Sequence, residues 1–505
     1  MSDTSILKQT VRGAGWTVAW RVATRLIGTV NTVILARLLL PGDFGLVALA
    51  TGFAQTILAF SSLGVAEAVM REHAPSRDLY DTAFTVNLLR GAALALAIAL
   101  AVWPVAAFFN DARLAPVLLA LGACHFVSSC ENIGTLEYFR DFAFDKEFRL
   151  RLIPRLAGVV ATIGCALIWR NHWALVAGIA TGHVLGTAMG YAMHPYRPRL
   201  TLCAWRQIAG FSFWSWAIAV AIMIRDRIDG FVVGRYMGMT QVGIYTLGGE
   251  IATMATYELA APVGRACYAG FAAESRAGAA SSASYLRILA SVTVVVLPVG
   301  VGVSLVAEPL IALLFGEKWM EAVAVARVMG VAAIAAALST IPATLLQVHA
   351  ALRPIFMAVA VAFLIRAIGS LASIGSWGLT GAAMAQAVAY LVEYGMLLAV
   401  VFRRFDGRPT DLLALVWRSL LATGAMAAVL LAAGLADGSG RPIRELAQAV
   451  SAGGAVYTIA LLGAWLACGR PAGAEADLLT LARAGLIRLP VAGSFARRFF
   501  SGDGF

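Results

Sequence analysis

The sequence predicts an all-α polytopic membrane protein of about 14 transmembrane helices, two repeated six-helix lobes followed by a further helix pair. Three observations predict it. First, 60% of the 505 residues are hydrophobic and only 13% are charged, against roughly 45–50% and 25% in soluble domains. With a mean hydropathy of +0.81, the apolar surface exceeds what a core can hold, so it must face lipid. Second, apolar runs of the length a bilayer needs, about 20 residues, recur along the whole chain. Third, the basic residues alternate from loop to loop. Together these exclude a cytosolic enzyme, a nucleic-acid binder and a secreted disulfide scaffold. The formal charge of +11 therefore marks where loops lie and gives no sign of a nucleic-acid partner.

Taken in order, the first lobe (1–208) carries spans near Trp16–Leu38, Phe44–Ala66, Phe84–Phe108, Leu114–Leu136, Leu152–Trp169 and Ala174–Met193. The second lobe (209–405) carries Phe211–Val233, Val242–Ala261, Leu286–Ala307, Val323–Leu346, Pro354–Ile374 and Leu379–Phe402. A last pair within 406–469 runs near Leu412–Leu435 and Leu446–Leu466, and 470–505 is a cytoplasmic tail containing Arg497 and Arg498. The opening stretch before Trp16 lacks the basic-then-apolar pattern of a signal peptide and reads as an amphipathic lead-in. Prolines within or beside spans (Pro104, Pro262, Pro298, Pro342) bend helices and free carbonyls.

Orientation follows from the charges. Of the 39 Lys and Arg, 25 fall in the N-terminus, the even-numbered loops, their adjoining span ends and the tail, and 7 in the odd-numbered loops. The densest stretch is Arg140, Lys146, Arg149, Arg151 and Arg155 after the fourth span. Such asymmetry places both termini in the cytoplasm. An internal echo supports the two lobes. Ala36-Arg37 with Gly45 eight residues on matches Gly234-Arg235 with Gly243, and Asn31 then falls opposite Asp229. The offset equals six spans, as repeated lobes would give.

Seven arginines fall inside spans: Arg21, Arg25, Arg90, Arg225, Arg227, Arg327 and Arg366. An arginine at a helix centre costs about 2.5–3.5 kcal/mol even on the milder scale, so central ones should face a wet interior. Arg21 and Arg25 share a face of the first helix. Arg225 and Arg227 open the second lobe, so the two lobes can present arginines to one cavity. Guanidinium groups suit an anion, phosphate above all. The plainer reading stands beside this one: Arg225 and Asp229 form an intrahelical pair, and Arg90, Arg327 and Arg366 lie nearer span ends and snorkel to headgroups. Among intramembrane acids, Asp229, Glu250 and Glu393 are the candidates for coupling to H⁺ or Na⁺, Asp229 also being a counter-ion candidate.

The six cysteines show no metal-ligand spacing, no phosphate-binding glycine loop precedes a lysine, and the chain has three lysines in all, which argues against ATP hydrolysis and a resident cofactor. A membrane-embedded polymerase or ligase would need catalytic acids in a large external loop. The acids of the longest odd-numbered loops (Glu308, Glu317, Glu321, Asp437, Glu445) read more simply as solvated charges.

The stretches Leu35–Leu49, Arg225–Gly248, Phe315–Trp319 and Glu137–Phe148 resemble the polysaccharide-type branch of the multidrug/oligosaccharidyl-lipid/polysaccharide exporter superfamily. The resemblance covers the first twelve spans. It implies two six-helix lobes around a V-shaped cavity and alternating access. It also implies a substrate, an oligosaccharide on undecaprenyl pyrophosphate, moved to the periplasmic leaflet for exopolysaccharide, capsule or O-antigen synthesis. Membrane lipids and a polysaccharide polymerase or co-polymerase are the implied partners. In related lipid II flippases first-helix arginines line the headgroup site, and Arg21 and Arg25 lie where those are expected. The rivals are a cation-coupled small-molecule exporter of the same superfamily, disfavoured by the basic excess in the spans, and the polymerase or ligase.

The charge asymmetry generates a topology prediction. A reporter that works only in the cytoplasm should be active when fused after Phe505, and one that works only outside should be active when inserted at Asn171. The reverse pattern would overturn the orientation.

Overall fold

Every regular element among the described residues is helical. The computed structural model describes residues 23–60, 65, 69–70, 72, 75–141, 143–205, 213–276, 282–405, 407–435, 442–471 and 473–476. Arg21, the lead-in and most of the tail lie outside these.

The chain opens with α1 (23–38) and α2 (Pro41–Phe60). Next come α3 (Arg77–Phe109) and α4 (Leu114–Ser129), a short α5 (Leu136–Arg140), α6 (Phe144–Trp169) and α7 (Trp173–Met193). Then follow α8 (Phe213–Met237), α9 (Met239–Arg276), α10 (Ser282–Leu305), α11 (Ala307–Leu314), α12 (Ala322–Val348), α13 (Leu352–Arg404), α14 (Pro409–Ala432) and α15 (Pro442–Ala467). Nine of the described helices are long and apolar enough to cross a bilayer, and the bent pair of α4 with the turn at Ile133–Arg140 makes a tenth. The charge-bearing α8 and α9, α1 and the second arm of α13 account for the rest, in line with about 14 spans.

Boundaries move where local chemistry overrides the apolar pattern. Helix α3 starts seven residues before the expected Phe84, because Ser76 caps it by accepting from the Leu79 amide at 3.3 Å and Asp78 sits in its first turn. The fourth span, expected to run straight to Leu136, bends by 64° after Ser129. Asn132 drives the bend: its side chain accepts from the Gly134 amide at 2.9 Å and donates to the Tyr196 carbonyl at 3.0 Å, competing with the helix ladder. The eleventh and twelfth spans form one 53-residue run that turns at Gly378, whose φ of 55° and ψ of −136° only glycine adopts without strain.

Packing divides the chain into two compact units, 1–246 with 314–319, and 247–313 with 320–505. In the first, α6 packs on α7, α3 on α4, α4 on α7, and α2 on α8 and α4. In the second, α12 packs on α13, α10 on α12 and α14, and α14 on α15.

Two devices consolidate the first unit. The glycines matched by the sequence echo meet each other: a Cβ on Gly45 would lie 2.7 Å from the Gly243 nitrogen and clash with the Met239 carbonyl, and one on Gly243 would clash with the Pro41 carbonyl. The N-terminal turns of α2 and α9 thus touch backbone to backbone, the close approach that small residues permit in membranes. The second device is the 314–319 segment, expected to be a solvated loop. Instead Trp319 is fully buried, packs edge-on to Phe44 at 5.4 Å and donates its indole N–H to the Ala36 carbonyl at 2.8 Å. Lys318 donates to the carbonyls of Leu39 at 2.6 Å and Arg37 at 3.0 Å, and Arg37 returns a bond to the Leu314 carbonyl. A cation here satisfies carbonyls that the end of α1 leaves open. Burial, and then the Arg37 guanidinium, hold the Lys318 ammonium below its ordinary range.

Trp319→Ala should cost about 3–5 kcal/mol and lower the melting temperature in detergent, with Trp319→Phe in between. An unchanged melting temperature would sink the role given to this segment. Gly243→Ala should also destabilise, by roughly 1–3 kcal/mol or more, whereas Ala at Gly249, which meets nothing within 4 Å, should be tolerated in the same assay.

Candidate functional site

The first unit contains a groove in two adjoining parts, about 380 and 530 Å³ in volume, that share Arg151, Pro154, Arg155 and Gly182. Both arginines come from α6. Their i,i+4 spacing sets them on one face, and the glycines of α7 opposite them leave the room. Arg151 is engaged by Glu147 at 3.0 Å. Arg155 is exposed to the groove, and among the described residues it makes no ion pair or side-chain hydrogen bond. Its Nη2 lies 3.4 Å from where a Cβ on Gly28 would stand. That brings it against the face of α1 that carries Thr24, itself a groove residue, and Arg25 one turn away. Asn31 of α1 also lines the groove, with a buried amide oxygen lacking a partner. Thr162 and His183 complete its polar wall, and Glu131 stands at the other end, accepting from Ser128 at 3.2 Å.

The groove is thus cationic at one point and polar along its length. A guanidinium presents a planar fork of donors matched to phosphate oxygens, and an unpartnered amide oxygen takes a hydroxyl donor.

The other candidate residues take several positions. Arg25 is half-buried on α1, while Arg21 is outside the described residues. Arg225 is buried on α8 with its Nε 3.0 Å from Asp226, and Asp229 one turn on is 1% exposed. Arg227 lies against α2, donating to the Gln55 side chain, and its Nε is buried with no partner. Glu250 is exposed on α9. Glu393 is buried in α13, in the second unit, in an arm that also buries Gln386 and Tyr390.

Two arginines expected to snorkel do something else. Arg366 is 2% exposed, its guanidinium 5.4 Å from the centre of the Tyr390 ring, while Gln386 donates to the Tyr390 hydroxyl at 3.2 Å. It lies midway along the first arm of α13, too deep for its side chain to reach headgroups. Arg327 pairs with Glu308 at 2.9 Å, so that acid is not a free loop charge.

Sequence reasoning missed Arg151 and Arg155 as site residues because they fell in the densest cytoplasmic cluster and were counted as topology signals. The signal that could have found them was their four-residue spacing around Pro154, opposite the Gly178, Gly182, Gly186 series of α7.

Residues 34–324 match the family model described as polysaccharide biosynthesis protein. The chain is 24% identical over 324 residues to the succinoglycan biosynthesis transport protein ExoT of Rhizobium meliloti (strain 1021), covering 64% of this chain and 66% of that one. It is 23% identical over 329 residues to the lipopolysaccharide biosynthesis protein WzxC of Escherichia coli (strain K12), with 64% and 67% covered. The chain therefore spans about two thirds of the length of these relatives. Among solved structures, the lipid II flippase MurJ in an inward closed conformation superposes with a TM-score of 0.71 at 13% identity, over 90% of this chain and 99% of that one. An inward-facing multidrug resistance MATE family transporter of the MOP superfamily gives 0.60 at 14% identity, over 76% and 94%. These two likenesses establish the fold. With more than half of its length matched by the family model, the chain belongs to the polysaccharide biosynthesis protein family and is built on the fold of the MOP-superfamily transporters.

Proposed function

We propose that the protein is a flippase, and no enzyme, that carries a polyprenyl-pyrophosphate-linked oligosaccharide from the cytoplasmic to the periplasmic leaflet of a bacterial inner membrane by alternating access. The observation that carries the reading is Arg155, an unpaired guanidinium in a polar groove of a membrane-embedded unit. Family membership and the transport named for the succinoglycan relative support it. So does the lipid-linked cargo named for the structural neighbour MurJ.

In this reading the doubly charged pyrophosphate docks on Arg155, with Arg151 and Arg25 beside it. Arg21, outside the described residues, is a further cationic candidate, as are Arg225, held by Asp226, and Arg227, held by Gln55, which are not among the described groove-lining residues. Sugar hydroxyls donate to Asn31 and exchange hydrogen bonds with Thr162, while the polyprenyl tail remains in lipid. Lobes at 1–208 and 209–405 then expose the groove to either side in turn, with 406–469 as an added helix pair and 470–505 as a cytoplasmic tail. Both termini are cytoplasmic, so Arg155 lies near the cytoplasmic end of α6, where capture begins.

An inside-negative potential favours outward movement of the headgroup by about 2.3 kcal/mol per charge per 100 mV. Glu393 and Asp229, both buried, are the coupling candidates for H⁺ or Na⁺, with Glu250 as an exposed third. Exopolysaccharide, capsule or O-antigen synthesis consumes the product, through a polymerase acting on the outer leaflet.

In a strain lacking the protein, the lipid-linked oligosaccharide should accumulate in the cytoplasmic leaflet, and wild type should clear it. Losing one charge-assisted contact is worth about 1.5–3 kcal/mol, so Arg155→Ala should slow clearance by roughly ten- to a hundredfold, with Arg155→Lys retaining more. Accumulation of unpolymerised material in the outer leaflet would overturn the flippase. Full activity of Arg155→Ala would overturn the site alone.

A further inference from the structure

Away from the substrate groove, the first unit has a second concavity of about 800 Å³, within the range of about 300–1,000 Å³ typical of small-molecule sites. Its walls are Ile57 and Phe60 of α2, Leu89, Ala93 and Ala97 of α3, and Trp205 of the segment that follows α7. That wall is built rather than incidental. Residues 194–204 have no helix of their own, and α3 supplies the hydrogen bonds they lack. Asp81 accepts from the Tyr196 hydroxyl at 2.5 Å and from the Arg199 amide at 2.9 Å. Thr85 and Thr82 accept from the amides of Thr201 at 3.0 Å and Ala204 at 3.2 Å. Burial and the Asp81 bond push the Tyr196 hydroxyl well above its ordinary range, so the tie holds at any physiological pH. Trp205 is thereby fixed opposite Leu89.

One charge breaks this apolar wall. Arg90 lines the concavity, its Nε is buried with no hydrogen-bond partner, and among the described residues no carboxylate pairs with it. Among the described lining residues none is acidic. A buried guanidinium N–H needs an acceptor; the side chains of the described lining residues offer none, and a lipid phosphate can supply one.

We infer that this groove is a binding site for an anionic glycerophospholipid of the phosphatidylglycerol type, its phosphodiester on Arg90 and one acyl chain along Leu89, Ala93 and Ala97. Charge selects the lipid: a choline or ethanolamine ammonium would find no carboxylate here. The lining also disfavours the lipid-linked sugar, because a pyrophosphate-glycan headgroup would meet a single cation and no polar side chain for its hydroxyls. Arg90 lies six residues inside the span that begins near Phe84, about 9 Å along the helix, the depth at which a phosphate can meet an arginine that reaches toward the interface. Trp205 lines the same concavity, and tryptophan is a residue that favours the interface.

The test is native mass spectrometry of the full-length protein, delipidated and titrated separately with phosphatidylglycerol, phosphatidylcholine and undecaprenyl pyrophosphate, with melting temperatures recorded in parallel. Wild type should retain one phosphatidylglycerol at least fivefold more tightly than phosphatidylcholine and be stabilised by it. Arg90→Gln should bring the two lipids to parity and Arg90→Lys should keep most of the preference. Ala93→Trp, which fills the acyl wall from an exposed position, should lose retention of both. Arg327→Gln, in the second unit and paired with Glu308, should behave as wild type. If Arg90→Gln does not fold, the wild-type preference and the Ala93→Trp loss still decide the matter. Equal retention of both lipids by wild type, an undiminished preference in Arg90→Gln, or undecaprenyl pyrophosphate displacing phosphatidylglycerol at equal concentration would overturn the inference.

Discussion

The hydrocarbon core of a bilayer supplies no hydrogen-bond partners, so each backbone polar group in the spans must be satisfied by the chain itself. The whole arrangement depends on this constraint. It forces helices everywhere the chain meets the hydrocarbon, and it makes each interruption a place where side chains must substitute for the ladder. Asn132 does so at the break after α4, Asp81, Thr82 and Thr85 do so along the 194–205 segment, and Lys318 with Trp319 does so at the end of α1. At each of these three places a polar side chain stands beside the irregular backbone.

Charge obeys the same rule with a sharper threshold. Arg327 has Glu308, Arg225 has Asp226, and Arg418 of α14 is held in both directions by Glu475, at 2.7 and 3.0 Å. A buried pair of that kind adds little net stability, but losing one partner is costly. Arg155 and Arg90 stand apart because neither is paired among the described residues. They differ in setting: Arg155 looks into a polar groove beside Asn31 and Thr162, and Arg90 into an apolar one beside Trp205. In the two proposals the same side chain would serve a headgroup with sugars in one case and a bare phosphodiester in the other.

The spans were legible in the sequence because hydropathy over about 20 residues averages away local detail. The echo was legible too, since Gly45 and Gly243 are placed by a steric demand that only glycine meets. What was not legible depended on contacts between distant segments. Nothing around Trp319 reveals that its indole reaches Ala36, so Glu317–Trp319 read as solvated loop. Arg155 was visible as a charge but was assigned to topology, because the positive-inside pattern and an anion site draw on the same residue type at the same membrane face. Arg366 was placed at a span end, whereas α13 runs unbroken from Leu352 to Gly378 and carries it to mid-helix.

The return of residues 314–319 to the first unit has a consequence for biosynthesis. Trp319 lies 283 positions after the carbonyl it serves at Ala36. At about 5–20 residues per second, a ribosome needs roughly 15–55 s to cover that distance. Throughout that interval the end of the first helix has open carbonyls and Phe44 lacks its ring partner. The first unit therefore cannot reach its final form as a nascent chain emerges, however early its own helices are inserted. Until the Phe315–Trp319 stretch arrives water must serve those carbonyls, and truncations upstream of it would leave the end of α1 without the Lys318 and Trp319 contacts.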